Sequence, residues 1–221
     1  VSAGMVEDSL HSFFTRGIAS YGITKNITAG AGVEYLSSLI TSPAMPFITS
    51  SFRITNNILL SGEYTYGVRA RGAFSYRLPT NVQLDLNYTW YEKDQKAIYY
   101  NYREERKAVL SLPLKVGKFS SFQRFSVNQI VLPVSNYTTA EWLFTTSLFG
   151  VNANLTTSSL FTGNDKPYVY SNLSLSFRLP ARIIAFPQVQ YAYTNNLLLS
   201  SKIRLEKYIG DHAFMNLSYE H

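Results

Sequence analysis

Polar and apolar residues alternate along almost the whole chain with a period of two, the pattern of extended strands whose two faces meet different surroundings. In one stretch Val82, Leu84, Leu86, Tyr88 and Trp90 alternate with Gln83, Asp85, Asn87, Thr89 and Tyr91. A second sets Val169, Ser171, Leu173, Leu175, Phe177 and Leu179 against Tyr170, Asn172, Ser174, Ser176 and Arg178. A third sets Leu197, Leu199, Ser201, Ile203 and Leu205 against Ser200, Lys202, Arg204 and Glu206. About fourteen such segments can be marked out. They lie near 12–23, 27–38, 46–54, 58–67, 69–78, 81–91, 99–112, 119–132, 138–148, 151–160, 168–179, 183–193, 197–208 and 213–220. Most run for roughly nine to twelve residues, the length a tilted strand needs to cross a bilayer. Strands of soluble sandwiches are nearer about five or six. No helical stripe outlasts the alternation, and the strand formers Tyr, Phe, Val, Ile and Thr dominate.

One face of these segments is rich in Asn, Ser, Thr, Gln and charge, too hydrophilic for the dry centre of a sandwich. The other carries almost no charge. Apolar outside and wet inside is what lipid requires. The expected fold is therefore all-β, a transmembrane antiparallel up-and-down β-barrel in a bacterial outer membrane, with about 14 strands visible. Residues 1–221 read as a single barrel region with no plug or periplasmic domain visible. Tyr21, Tyr35, Tyr66, Trp90, Tyr193 and Tyr208 fall near the ends of the marked segments, where amphipathic rings suit the headgroup level.

Connections alternate in character. Those after odd-numbered segments are mostly tight: Thr24-Lys25-Asn26, Thr55-Asn56-Asn57, Pro79-Thr80-Asn81, Phe149-Gly150 and Pro180-Ala181-Arg182, with 113–118 as the exception. Several after even-numbered segments are longer, notably 39–46, 92–97 and 161–167. In barrels of this class short turns face the periplasm and longer loops face outside. That polarity would put both ends of the chain outside the cell. The expectation is accordingly an internal portion of a wider barrel, the alternative being a complete barrel with the polarity reversed.

Composition sharpens this picture. Hydrophobic residues make up 46% and charged residues only 15%, against roughly 25% charged in ordinary globular chains. Ser, Thr and Asn fill the gap together with 17 Tyr and 14 Phe, and mean hydropathy is −0.06. The net charge of +6 comes from basic residues spread singly, which argues against a nucleic-acid partner. Without cysteine there is no disulfide or thiol chemistry. No run approaches the ~18 apolar residues of a membrane helix. The start of the chain has neither the basic nor the apolar region of a signal peptide, so a mature or trimmed chain is expected.

Residues 13–36, FFTRGIASYGITKNITAGAGVEYL, resemble the barrel of outer-membrane fimbrial ushers of the chaperone–usher pathway. In that family a strand ends in Tyr/His-Gly-Leu, turns and continues as a Thr-rich strand with Gly pairs; Tyr21-Gly22-Ile23 and Gly30-Ala31-Gly32 stand at those places. Residues 68–106 and 107–132 are similar to the next strands of that barrel, in the same order. The resemblance covers roughly residues 12–160 and implies a wider barrel of about 24 strands. It implies export and assembly of surface pilus-type subunits delivered by a periplasmic chaperone. The work would be driven by donor-strand exchange rather than by a nucleotide. A passive, porin-like diffusion channel and a structural or docking barrel bound to other outer-membrane proteins are the alternatives.

The expected pore-lining residues are Arg53, Arg69, Arg71, Arg77, Asp85, Arg124, Glu141, Arg178, Lys202 and Arg204, together with Glu34, Glu63 and Glu206. Basic residues outnumber acidic ones, which would favour anions or lubricate a passing protein. Cross-strand ion pairing that merely holds the wall together is the alternative use of the same charges. Arg69, Arg71 and Arg77 share one strand face and are the best candidates for a selective patch. Catalysis is not expected, because a rim protease or phospholipase needs a His close to Ser or Asp and only His11, His212 and His221 exist. No cofactor or metal site is expected, and the lipid bilayer is the expected surrounding.

Overall fold

The computed structural model describes all residues except 1, 6–11, 40–42, 99–100, 118, 164, 210–212 and 221. The chain forms one antiparallel up-and-down sheet of fifteen strands in sequential order. They are β1 (Ser2–Met5), β2 (Phe13–Gly22), β3 (Ile27–Leu36), β4 (Ala44–Thr55), β5 (Ile58–Thr65), β6 (Arg69–Arg77), β7 (Gln83–Tyr91) and β8 (Glu104–Val116), then β9 (Phe119–Val131), β10 (Asn136–Leu148), β11 (Val151–Thr162), β12 (Tyr168–Leu179), β13 (Ile183–Ala192), β14 (Leu197–Ile209) and β15 (Ala213–Glu220). The sheet divides into two compact units, residues 1–78, 83–108 and 128–136 in the first and residues 79–82, 109–127 and 137–221 in the second. Among the described residues no helix is long and apolar enough to cross a membrane.

Fourteen of these strands coincide with the alternating segments; β1, of 4 residues, is additional. Several boundaries differ by a residue or two, and the segment marked from 99 begins as strand only at Glu104. Two of the differences involve proline. The expected connection at 113–118 is mostly strand, because β8 continues through Pro113 to Val116 and turns at Gly117 with φ +59. The strand expected to start at 46 starts at Ala44 and passes through Pro46, whose carbonyl accepts from the Tyr66 N–H at 2.9 Å. Proline lacks a donor but keeps its acceptor, so a strand can run through it where no N–H is needed.

Local chemistry sets the tight turns. Thr24 Oγ1 accepts from the Asn26 N–H, and Thr55 Oγ1 from the Asn57 N–H, both at 3.2 Å. A hydroxyl that bonds the backbone two residues on mimics a turn. Phe149 and Gly150, with φ of 51° and 80°, make the two-residue link between β10 and β11. Positive φ at both positions is what the hairpin turn matching strand twist requires.

Register shows which described side chains share a face. In the first unit Arg16, Glu34 and Met45 are cross-strand neighbours, as are Phe47, Thr65, Arg69 and Tyr91, and Thr49, Glu63, Arg71 and Thr89. Alternate positions carry Val33, Ile48, Leu60, Tyr64, Leu86 and Trp90. Exposure is inverted relative to a water-soluble sheet. On the polar face Glu34 is 3% exposed and Thr65 0%, while on the apolar face Ile48 is 61% and Val33 46% exposed. The second unit repeats the alternation: Leu155, Leu173 and Val189 align on one face, and Asn154, Ser174 and Gln188 on the other. Two hydroxyls that fall on the apolar face, Thr157 and Ser171, satisfy each other at 2.7 Å. Of the rings expected near the strand ends, Tyr21, Tyr35 and Trp90 share the apolar face. Tyr208 falls by register with Lys202, Arg204 and Glu206 on the polar one.

Candidate functional site: the polar face of the sheet

In the first unit the polar face is organised around four charges drawn from four strands. Arg16 on β2 donates to Glu34 on β3 at 2.7 Å and to Glu63 on β5 at 2.6 Å. Arg69 on β6 donates to the same two carboxylates, at 2.8 Å to Glu34 and 3.2 Å to Glu63. Two guanidinium groups and two carboxylates leave no net charge. β4 contributes an aromatic plate to this centre: the Arg16 guanidinium lies 4.2 Å from the centre of the Phe47 ring, an arrangement favoured by the quadrupole of the ring face. Phe47 in turn covers Gly32. A Cβ at Gly32 would stand 2.5 Å from a Phe47 ring carbon and 2.1 Å from the Gly17 carbonyl oxygen. Glycine is therefore required here by close approach.

Beside the four charges runs a hydroxyl-lined cavity of about 300 Å³, bounded by Ser20, Thr28, Thr49, Ser51 and Ser61 and by Glu63 and Arg71. Arg71 is exposed, and among the described residues its side chain donates to the Thr89 hydroxyl at 3.4 Å. Further along the strands Asp85 accepts from Ser75 at 2.6 Å and from Gln83 at 2.8 Å. Arg53 and Arg77 are exposed.

In the second unit Glu141 stands opposite Ser158, and Arg178 opposite Ile184. Lys202 pairs with Glu220 at 3.0 Å, and Arg204 with Glu206 at 3.0 Å, the latter guanidinium also lying 4.6 Å from the Phe186 ring centre. Arg124 lies on the opposite side of β9 from Phe125, whose ring stacks on Trp142 at 6.0 Å.

Arg69, Arg71 and Arg77 do share a face of β6, but not a role. Arg69 is neutralised by two carboxylates, whereas Arg71, Arg77, Arg53, Arg124 and Arg178 have no ion-pair partner among the described residues. Sequence reading missed Arg16, the second cation of the four-charge centre. Its row on β2, Phe14, Arg16, Ile18 and Ser20, mixes polar and apolar residues and hides the alternation. The available signal was parity across the hairpin: with the tight turn at 24–26, Arg16 falls opposite Glu34. His11, His212 and His221 lie outside the described residues.

No family model matches the sequence, and no curated protein or solved structure matches the chain.

Proposed function

We propose that this chain forms membrane-spanning barrel wall in a bacterial outer membrane, and that its polar face lines a hydrophilic passage used in usher-like fashion to export surface pilus-type subunits. The observation that carries the membrane reading is the inverted exposure. A face bearing Ile48, Val33, Leu60 and Leu86 at 40% exposure or more needs a non-aqueous neighbour, and strands of 8 to 13 residues match a bilayer. Export is favoured over ion selection by the chemistry of the wall in the first unit. Its four central charges cancel and hydroxyls line the adjoining cavity, so a passing protein meets hydrogen-bonding groups beside a neutral centre, with Arg71 at the cavity wall. The usher resemblance of residues 13–36 and 68–132 points the same way. The test is co-purification of the full-length protein with periplasmic chaperone–subunit complexes from cells expressing both. Stable capture supports export, and no capture under conditions that load an authentic usher sinks it.

A second reading, a passive diffusion channel, is favoured by the exposed arginines Arg53, Arg71 and Arg77. It predicts a large, constant conductance in planar bilayers with a preference for anions.

A further inference from the structure

One patch of the first unit breaks the rule that this face is polar. Leu36 and Met45 occupy polar-face positions, paired in register with Phe14 and Glu34, and with Val68 they form a buried apolar cluster. Phe14, Leu39, Ala97 and Ile98 pack against it. Ala97 and Ile98 belong to the connection that follows β7, so residues 92–98 fold onto the face instead of away from it.

Residues 92–98 are tied to the sheet at their start and clasped internally. The Glu92 N–H donates to the Val68 carbonyl at 2.9 Å, tying the segment to the link between β5 and β6. The Gln95 N–H returns to the Glu92 carbonyl at 3.3 Å. The Gln95 side chain, 6% exposed, accepts from the Ile98 N–H at 2.8 Å and donates to the Ile98 carbonyl at 3.3 Å. A buried amide whose oxygen and nitrogen are both engaged by one residue makes a closed clasp, and opening it strands polar groups. The clasp presents Ile98 to the apolar cluster, which begins in the cross-strand row of Arg16, Glu34 and Met45 and includes Leu36 in the next row.

We infer that residues 92–98 are an inward-folded latch that narrows the hydrophilic passage at the end of the polar face nearest the four-charge centre. The inference rests on the passage proposed above. Its physical content is that apolar burial, on a face otherwise built for water, holds the segment inward. Displacing Ile98 uncovers Leu36, Met45 and Val68 together, so the segment leaves as a unit.

The chain contains no cysteine, so a single introduced thiol reports one position alone. In full-length protein reconstituted into phosphatidylcholine bilayers, Ile98→Cys is compared with Val134→Cys, at a site 98% exposed in another connection. A charged thiol reagent should modify Ile98→Cys at least about tenfold more slowly, because reaction there requires local opening. Adding Gln95→Ala should remove most of that protection. Single-channel conductance should rise roughly twofold or more in Gln95→Ala and in Ile98→Asp, as expected when a constriction is withdrawn. Equal labelling rates at the two thiols overturn the latch, as does unchanged conductance in variants of a protein that conducts. Absence of conductance in the parent and in every variant instead overturns the passage itself. If Gln95→Ala fails to assemble, the labelling ratio of the two single-cysteine proteins still decides.

Discussion

Glu34 is 3% exposed and accepts from both Arg16 and Arg69, so removing its carboxylate disturbs two cations at once. Breaking a buried pair by deleting one partner costs about 3–5 kcal/mol, and Glu34→Ala should fall toward the lower figure because Glu63 still serves both guanidinium groups. Lys202→Ala, which breaks the exposed pair with Glu220, should cost under about 1 kcal/mol. Urea unfolding of the two variants in detergent micelles checks the contrast, and equal losses would show that the four charges are no more than surface pairs. Gly32→Ala is a second probe of the same centre. Its new methyl would meet the Gly17 carbonyl, a backbone atom that cannot swing aside, and overpacking of this kind costs about 1–3 kcal/mol. At this scale the sequence was partly legible. Face assignments of Glu34, Glu63, Arg69 and Asp85 follow from parity alone. Which charges cancel does not, because the pairs join residues up to 47 positions apart and their meeting depends on register.

Strands were legible to within a few residues because both faces carry a signal: a slip of one residue would turn every apolar side chain to the wrong side. The marked edges at 46 and 112 fall short of the strands, which run through Pro46 and Pro113, since extended backbone accommodates proline when the missing donor has no partner to satisfy. Turns carry their own stability. Phe149 sits at φ 51°, is 92% exposed, and precedes Gly150 in a two-residue hairpin link. Asn is favoured at that position because its side chain tolerates left-handed backbone. Phe149→Asn should therefore stabilise the chain by up to about 1 kcal/mol, because left-handed backbone costs an ordinary side chain about 1–2 kcal/mol and Asn less. Thermal or urea midpoints measured in detergent would register the gain. A loss instead would mean that the exposed ring makes contacts in the membrane or with a partner that outweigh backbone strain.

At the scale of the molecule, the fold can be read in the sequence and its surroundings can be tested with one pair of adjacent residues. Leu173 and Ser174 lie at the middle of the twelve-residue strand β12 and differ by one step, hence by one face. Leu173 aligns with Leu155 and Val189, Ser174 with Asn154 and Gln188. An arginine at either position has the same position along the strand and the same backbone cost, so only what the face touches separates them. Against lipid near the bilayer midplane an arginine costs about 2–4 kcal/mol, whereas on a water-filled side it is tolerated. Leu173→Arg should therefore lower the folded fraction in phosphatidylcholine vesicles sharply at a urea concentration where the parent is folded, while Ser174→Arg should leave it nearly unchanged. The opposite order would make the Ser174 side the dry one and overturn the membrane reading at its root. Equal effects would mean that both sides meet the same medium, which an alternation this regular is not built to serve.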